Sequence, residues 1–332
     1  MPIKLCSIGC GAFARMTHGP SIRKYASEHH DDLILSACCD LNEEAARQYQ
    51  KDFGYRRWYT DCQQMLDVEL PDAVCLVVSV SQTANLATDI LHRGIPLMME
   101  KPPGRNEEEV LKILAAAQNG TKNQVALNRR YTPLIRALWD RLRKDAAPGQ
   151  IQNIRYDFYR MERFDEDFST TAIHGIDTVR FLSGSSYRSV RIEYQDLDCD
   201  GNLATNIYLF CKFSSGATAQ ISFCPACGVS LERAVVNSYQ NTWLLNVPMW
   251  KEFDSPGELV HIKNGTVVEK IRGDELSSEE MFELSGFYAE NAAFLDAVRL
   301  KQPIVNSVDT AVQSVILADC IRKRITHINF EE

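Results

Sequence analysis

Two side chains in this sequence, Lys101 and His174, are of types that transfer protons and stabilise charge. Lys101 ends an apolar run directly before Pro102, so its ammonium group would reach the crevice at the carboxyl edge of a parallel sheet. His174 lies in a predicted helix, and an imidazole accepts protons near neutral pH. Asp177 follows three residues later on the same helix face. These groups could form an acid/base site, although a single helical histidine is more often buried for structural reasons.

A glycine-rich turn follows the first apolar run of the chain. Residues 9–14 read G-C-G-A-F-A, which fits the G-x-G-x-x-A fingerprint of dinucleotide-binding folds. In that fingerprint Gly9 allows a tight turn, Gly11 lets the backbone approach a pyrophosphate, and Ala14 allows close packing of helix on strand. The helix that begins there offers free N–H groups to phosphates. We therefore expect dinucleotide binding at Gly9, Gly11, Ala12, Phe13 and Ala14.

An acidic residue, Asp40, ends the second predicted strand. A carboxylate at this position receives the ribose hydroxyls of adenosine and repels a 2′-phosphate. Residues 41–44 (L-N-E-E) contain no Arg or Lys that would receive such a phosphate. The sequence therefore favours NAD over NADP as the cofactor.

Strands and helices alternate over the first 125 residues. The predicted strands are 3–9, 33–40, 73–79, 96–100 and 123–128, and the predicted helices are 12–30, 43–53, 85–93 and 107–119. Apolar strands separated by amphipathic helices are typical of a doubly wound parallel sheet. We predict a Rossmann domain over residues 1–125.

The pattern changes after residue 128 to longer strands with period-2 alternation. The predicted strands are 151–160, 190–196, 206–213, 217–223 and 235–247, and the predicted helices are 133–144, 172–183, 286–301 and 307–324. Such alternation indicates an open, largely antiparallel sheet with one covered face. The chain is thus predicted to be an α/β protein whose second, α+β domain spans residues 126–332.

Composition and charge limit the partners. A net charge of −8 provides no basic footprint for nucleic acid. No apolar run reaches the roughly 18 residues of a membrane helix, and the N-terminus lacks a secretory signal pattern. We expect a cytoplasmic protein with neither nucleic-acid nor membrane partners.

The chain has eleven cysteines, and their scattered spacing argues against a metal site. The pair Cys224 and Cys227 forms a single C-x-x-C with no second pair to complete a zinc site. We expect reduced thiols that pack as small apolar groups, and no bound metal.

Residues 94–102 (G-I-P-L-M-M-E-K-P) resemble the G-x-x-V-x-x-E-K-P signature of the Gfo/Idh/MocA oxidoreductases. Residues 128–133 (N-R-R-Y-T-P) are similar to that family's N-x-R-x-x-P, and residues 174–177 to its H-x-x-D. Together with the fingerprint at 9–14 and the F…N…F-L-D-A-V pattern at 287–298, the resemblance extends over nearly the whole chain.

The resemblance implies a Rossmann domain followed by a domain for substrate binding and oligomerisation, and hence a homodimer or homotetramer. It implies that Lys101 orients a substrate hydroxyl and steadies charge on its oxygen, while His174 takes the hydroxyl proton as hydride leaves for NAD. It also places Ser79, Glu100, Lys101 and Asn128 beside the cofactor.

The expected substrate is a carbohydrate-like small molecule bound by the second domain. The candidate contacts are Arg129, Tyr131, Arg160, Arg163, Thr170 and Asp177. The arginines could clamp an anionic group or form ion pairs with the protein, and Asp177 could hold the His174 tautomer or contact substrate. Two positions depart from the family pattern. Thr170 replaces an Asp that often precedes the histidine by four residues, and residues 78–83 (V-S-V-S-Q-T) replace T-P-x-x-x-H.

Three functions are compatible with these features. The first is an NAD-dependent dehydrogenase that oxidises a secondary alcohol of a sugar, inositol or glycoside. The second is a lyase or glycosidase that uses tightly held NAD transiently, which net NADH production would distinguish from the first. The third is a non-catalytic sensor of NAD or sugar, against which the presence of both Lys101 and His174 argues.

Overall fold

The chain folds as two compact units in the computed structural model, which describes residues 2–146, 148–165 and 167–330. Unit 1 comprises the chain up to Asn128 together with Gly286–Val315. Unit 2 comprises Arg129–Ser285 together with the chain from Ile316.

Unit 1 is built on a six-stranded parallel sheet, which confirms the predicted Rossmann fold. Its strands are β1 (Ile3–Ile8), β2 (Leu33–Cys39), β3 (Arg57–Tyr59), β4 (Ala73–Leu76), β5 (Leu97–Glu100) and β6 (Asn123–Ala126). Their spatial order is β3-β2-β1-β4-β5-β6, the order of dinucleotide-binding sheets. Every residue of β4, β5 and β6 is buried, as expected for parallel strands covered on both faces.

The first helices of unit 1 differ from the prediction at one point. These helices are α1 (Ala12–Met16), α2 (His18–Glu28), α3 (Glu43–Phe53), α4 (Cys62–Glu69), α5 (Val80–His92) and α6 (Glu107–Ala116). The single helix predicted for residues 12–30 is interrupted at Thr17, which has φ −124° and ψ −72°. The Thr17 hydroxyl donates to the Phe13 carbonyl at 2.7 Å, and such back-bonding competes with regular helical geometry.

Strand β3 and helix α4 were not predicted. β3 is only three residues long, too short for a period to be recognised. The α4 helix does carry a start signal, because the Asp61 carboxylate accepts from the backbone N–H groups of Gln63 and Gln64.

Unit 2 is built on a nine-stranded sheet of order β14-β13-β12-β11-β7-β10-β9-β8-β15. Its strands are β7 (Ile151–Tyr159), β8 (Tyr187–Cys199), β9 (Asn202–Phe213), β10 (Thr218–Cys224), β11 (Leu231–Ser238), β12 (Asn241–Val247), β13 (Glu258–Lys263), β14 (Thr266–Arg272) and β15 (His327–Asn329). All neighbours are antiparallel except β7 and β10, which confirms the predicted, largely antiparallel sheet.

Two hairpins depart from the prediction. The single strand predicted for residues 235–247 is the hairpin β11–β12, which turns at Tyr239 and Gln240. The hairpin β13–β14 was not predicted, although its turn residues Asn264 and Gly265 have φ +50° and +77° and form an Asn-Gly hairpin signal.

The helices of unit 2 begin with α7 (Pro133–Asp145), α8 (Ser169–Ser183) and α9 (Met281–Leu284). Helix α8 packs on β7 and β10, and twelve of its fifteen residues are buried. In the described part of the chain, no helix is both long and apolar enough to cross a membrane.

The segment 286–315 was assigned by sequence to the second domain but folds with unit 1. It contains α10 (Phe287–Arg299), and the last helix, α11 (Val312–Arg322), begins at its end. Phe294 and Leu295 of α10 belong to the same apolar cluster as Leu5 of β1. The Tyr25 hydroxyl also donates to Asp296 at 2.7 Å. These contacts join residues distant in sequence, which is why local patterns did not reveal them.

Candidate active site

Unit 1 contains a cavity of about 810 Å³ along the carboxyl ends of its strands. The lining includes every residue predicted to contact the cofactor except Asn128, namely Gly9, Gly11, Ala12, Phe13, Ala14, Asp40, Ser79, Glu100 and Lys101. Asn128 is buried and begins a short 3₁₀ helix, Asn128–Tyr131. The geometry therefore gathers nearly all of the predicted cofactor residues around one space.

The two glycines of the fingerprint meet different surroundings. A Cβ on Gly9 would lie 1.9 Å from the Val77 carbonyl oxygen, and Gly9 has φ +95°, so this turn requires glycine. A Cβ on Gly11 would meet nothing within 4 Å, although Gly11 lines the cavity. The missing side chain thus leaves room for a group to approach the backbone, as a dinucleotide pyrophosphate requires.

Asp40 is fixed by the backbone on both sides. One carboxylate oxygen accepts from the Cys10 N–H at 2.8 Å and the other from the Asn42 N–H at 2.9 Å. Each oxygen retains a lone pair that can receive a hydroxyl. The residue predicted to bind ribose is therefore held against the glycine turn. Its carboxylate oxygens can accept hydrogen bonds from the ribose hydroxyls of NAD.

Sequence reasoning missed several residues of this cavity. These cavity-lining residues are Ile8, Cys39, Leu41, Thr60, Cys62, Val77, Val78, Gln82 and Leu86. Thr60 and Cys62 follow β3, the strand that was not predicted. Because Asp61 caps α4 between them, an N-cap search at this aspartate could have located that wall.

In unit 2, His174 is held at a point of close packing between α8 and the sheet. The next residue is Gly175, where a Cβ would lie 2.8 Å from the Phe223 ring. Glycine here lets the helix approach β10 closely. His174 is buried, and its Nε2 lies 3.4 Å from Nη1 of Arg129. A guanidinium can only donate, so Arg129 presents an N–H group to this ring nitrogen.

The Glu232 carboxylate binds the charged and polar groups near His174. Its carboxylate accepts from Arg129 Nη2 and from the Tyr156 hydroxyl, each at 2.7 Å, and it also pairs with Arg160. Glu232 is fully buried, at 0% exposure. Burial alone would raise its pKa, but Arg129 and Arg160 outweigh burial and lower the pKa of Glu232 to about 2.

Glu232 was not identified from the sequence, although its position in the alternating pattern of β11 could have indicated it. In β11 it alternates with Ala234 and Val236, which are buried. A carboxylate on the apolar face of a strand requires a partner. The sequence left open whether Arg129 and Arg160 clamp an anionic group or form ion pairs within the protein. Both guanidiniums pair with this buried carboxylate, which answers the question in part.

Asp177 also has a guanidinium partner. Arg130 donates to it through Nε at 2.7 Å and Nη2 at 2.6 Å, in a buried, two-pronged pair. This pairing accounts for the burial of Asp177. It anchors α8, which carries His174, to the 3₁₀ helix Asn128–Tyr131.

The remaining predicted substrate residues lie in different settings. The Thr170 hydroxyl donates to the Asp167 carbonyl at 3.2 Å, in the first turn of α8. Tyr131 is half-buried. Arg163 is half-exposed and pairs with Asp165, so it forms a surface ion pair of the kind weighed from the sequence. Lys101 belongs to unit 1 and His174 to unit 2.

The cysteines are free thiols, and Cys6, Cys38, Cys39, Cys75 and Cys211 are buried as predicted. Burial raises the pKa of Cys224 to about 11. A reactive dithiol requires a lowered thiol pKa instead.

The comparisons with known proteins agree with this geometry. Residues 3–128 match the model of the GFO_IDH_MocA oxidoreductase family, described as having an NAD-binding Rossmann fold. The rhizopine catabolism protein MocA of Rhizobium meliloti is 23% identical over 183 residues, covering 49% of this chain and 55% of that protein. The chain therefore matches only about half the length of this curated relative.

Solved structures match over nearly the full length. A dehydrogenase from Chromobacterium violaceum has a TM-score of 0.81 at 20% identity, covering 97% of this chain and 95% of the other. Levoglucosan dehydrogenase, solved with NADH, has a TM-score of 0.81 at 15% identity, with 100% of both chains covered. Likenesses at these identities establish the shared fold.

The fold and the cavity define an NAD-binding Rossmann domain. The match of residues 3–128 to the Gfo/Idh/MocA family model agrees with the resemblance seen in the motifs of the chain.

Proposed function

We propose that this protein is an NAD-dependent dehydrogenase that oxidises a secondary alcohol of a sugar, inositol or glycoside. The proposal rests on the match of residues 3–128 to the oxidoreductase family model and on the two sets of residues around Lys101 and His174. Levoglucosan dehydrogenase, which shares the fold, is a sugar dehydrogenase solved with NADH. Asp40 supports the use of NAD rather than NADP, because a carboxylate at the ribose position repels a 2′-phosphate.

The observation that carries the proposal is the position of Lys101. It lines the same cavity as the glycine turn and Asp40. A lysine ammonium at the edge of a nucleotide site can stabilise negative charge that develops on a hydroxyl oxygen beside the cofactor.

The chain's residues would divide the chemistry as follows. When bound, NAD⁺ supplies the acceptor for a hydride at the nicotinamide C4. Lys101 would orient the substrate hydroxyl and stabilise its alkoxide character. His174 would accept the hydroxyl proton as the carbonyl forms. Arg129, held by Glu232, would orient the imidazole through its contact with Nε2.

The test is absorbance at 340 nm with NAD⁺ and a panel of sugars, inositols and glycosides, and with NADH and their keto forms. We expect a rise with NAD⁺, or a fall with NADH, for one group of compounds. Lys101→Met should abolish this signal. Lys112→Met is the matched control, because Lys112 is an exposed lysine of the same unit that bonds to Asn85.

The other outcomes discriminate between the alternatives. If a glycoside is cleaved without net NADH, the protein recycles its cofactor as a lyase or glycosidase. If NAD binds but nothing in the panel is converted, the dehydrogenase assignment fails and a sensor function gains support.

A further inference from the structure

A buried histidine lies behind the nucleotide cavity and has no role in the scheme above. His18, the first residue of α2, is 1% exposed. Its Nε2 lies 2.8 Å from Oε1 of Glu100, and its Nδ1 lies 3.3 Å from Oδ1 of Asn291. The rings of Phe13 and Phe287 pack near it, with centroids at 6.2 and 6.0 Å. The imidazole is therefore held in one orientation.

Glu100 connects this histidine to the cavity. Oε2 of Glu100 accepts from the backbone N–H of Lys101 at 3.0 Å, and both residues line the cavity. A continuous chain of contacts thus runs from His18 through Glu100 to Lys101. All of these residues belong to unit 1.

The strand order indicates which part of a dinucleotide Glu100 would meet. Along the sheet, Asp40 follows β2, Gly9 follows β1, Val77 follows β4 and Glu100 ends β5. With adenosine ribose at Asp40 and pyrophosphate at the glycine turn, the other half of the molecule extends across the ends of β4 and β5. Glu100 therefore lies at the nicotinamide end.

The charge of the His18–Glu100 pair matters at this end. Burial opposes protonation of His18, but Cys75 and Glu100 outweigh burial and hold the pKa of His18 well above its usual value. With its Nε2 2.8 Å from Oε1, a protonated His18 offsets the negative charge of the Glu100 carboxylate. The nicotinamide ring is positively charged in NAD⁺ and uncharged in NADH, so it responds to any imbalance in this buried pair.

We propose that His18 is a positioning residue that, through Glu100, sets the relative affinity of the site for NAD⁺ and NADH. With the pair balanced, its two charges together favour neither form of the cofactor over the other. Removal of one charge favours the form of cofactor that restores the balance. This inference concerns the cofactor alone and holds for any alcohol substrate.

The test is to measure dissociation constants for NAD⁺ and NADH separately, by calorimetry on the purified protein without substrate. His18→Gln retains a hydrogen-bond donor but no charge, and should leave the Glu100 carboxylate uncompensated. We expect the ratio Kd(NADH)/Kd(NAD⁺) to rise at least fivefold. Glu100→Gln should move the ratio in the opposite direction, and the double variant should return it toward the wild-type value. A tenfold change in the ratio corresponds to about 30 mV in the potential of the bound couple.

A merely structural role predicts a different pattern. In that case His18→Gln would raise both dissociation constants by the same factor, and the double variant would bind both forms of the cofactor more weakly than either single variant. Either result would overturn the proposal. Since the buried His18→Gln could fail to fold, His18→Asn repeats the charge change with a smaller side chain, and thermal denaturation of each variant identifies folding losses. Exposed His92→Gln in the same unit is the control and should leave the ratio unchanged.

Discussion

The guanidinium of Arg129 joins Glu232 to His174. It donates to the Glu232 carboxylate at 2.7 Å and lies 3.4 Å from the imidazole Nε2, and all three residues are buried within unit 2. A buried carboxylate shared by two arginines is stable only while all its partners remain. This relationship links the stability of unit 2 to the environment of the proposed base.

The first prediction concerns that carboxylate. Glu232→Gln should cost about 3 kcal/mol or more, because it leaves two guanidiniums without their counter-charge, and should lower Tm by roughly 6 °C or more. Glu193→Gln, at an exposed surface pair with Arg191, should change Tm little. Arg129 and Arg160 hold the pKa of Glu232 in the folded protein at about 2, below its ordinary value of 4.5. Its stabilisation is thus present above pH 4.5 and lost as pH falls toward 2. The Tm difference between wild type and Glu232→Gln should shrink over that range, and a constant difference would refute the ion-pair explanation.

The second prediction separates the two glycines of the fingerprint. Gly11→Ala should change the Tm of the cofactor-free protein little, since a Cβ there meets open space, but should weaken NAD binding at least about tenfold by filling the approach to the backbone. Gly9→Ala should lower Tm by several degrees, because its Cβ would overlap the Val77 carbonyl. Thermal denaturation and calorimetry measure both effects. An unchanged NAD affinity in Gly11→Ala would show that the open space at Gly11 has no binding role.

The third prediction concerns cofactor choice. Asp40→Ala should weaken NAD binding about tenfold, the scale of a hydrogen bond to a charged group. It should also narrow the difference between the affinities for NAD and NADP. Asp31→Ala, at an exposed aspartate of the same unit, should alter neither affinity. Titration with both cofactors provides the measurement. If Asp40→Ala keeps the wild-type NAD/NADP ratio, another residue sets the preference.

The fourth prediction separates catalysis from binding. His174→Ala should lower kcat by about 10²–10⁴, the contribution of a general acid/base, and should leave the Kd for NAD unchanged. His327→Ala, an exposed histidine of unit 2, should retain full activity. A parallel loss of NAD affinity in His174→Ala would contradict its role as the base.

Local features of the sequence identified many of the residues that line the cavity of unit 1. The tight turn at Gly9, the open approach at Gly11 and the acid at Asp40 each depend on residues close in sequence, so their pattern could be recognised directly. The alternation of apolar residues likewise predicted the type of both sheets. The hairpin at Asn264 and Gly265 was also encoded locally and was overlooked.

The partners of buried polar groups could not be predicted in the same way. Glu232 meets Arg129 across 103 residues of chain, and His18 meets Glu100 across 82. Such pairs depend on how distant elements pack. A single sequence shows only that a charge on an apolar face needs a partner, without identifying that partner. The placement of α10 in unit 1 was missed for the same reason.

The most direct measurement follows a labelled atom through the reaction. The alcohol that reacts fastest at 340 nm would be prepared with deuterium on its carbinol carbons and incubated with NAD⁺ and the protein. We predict that mass spectrometry will find one deuterium in the NADH formed, and that Lys101→Met and His174→Ala will form little of it. NADH without deuterium, or a converted substrate with no reduced cofactor, would contradict hydride transfer from that carbon to NAD.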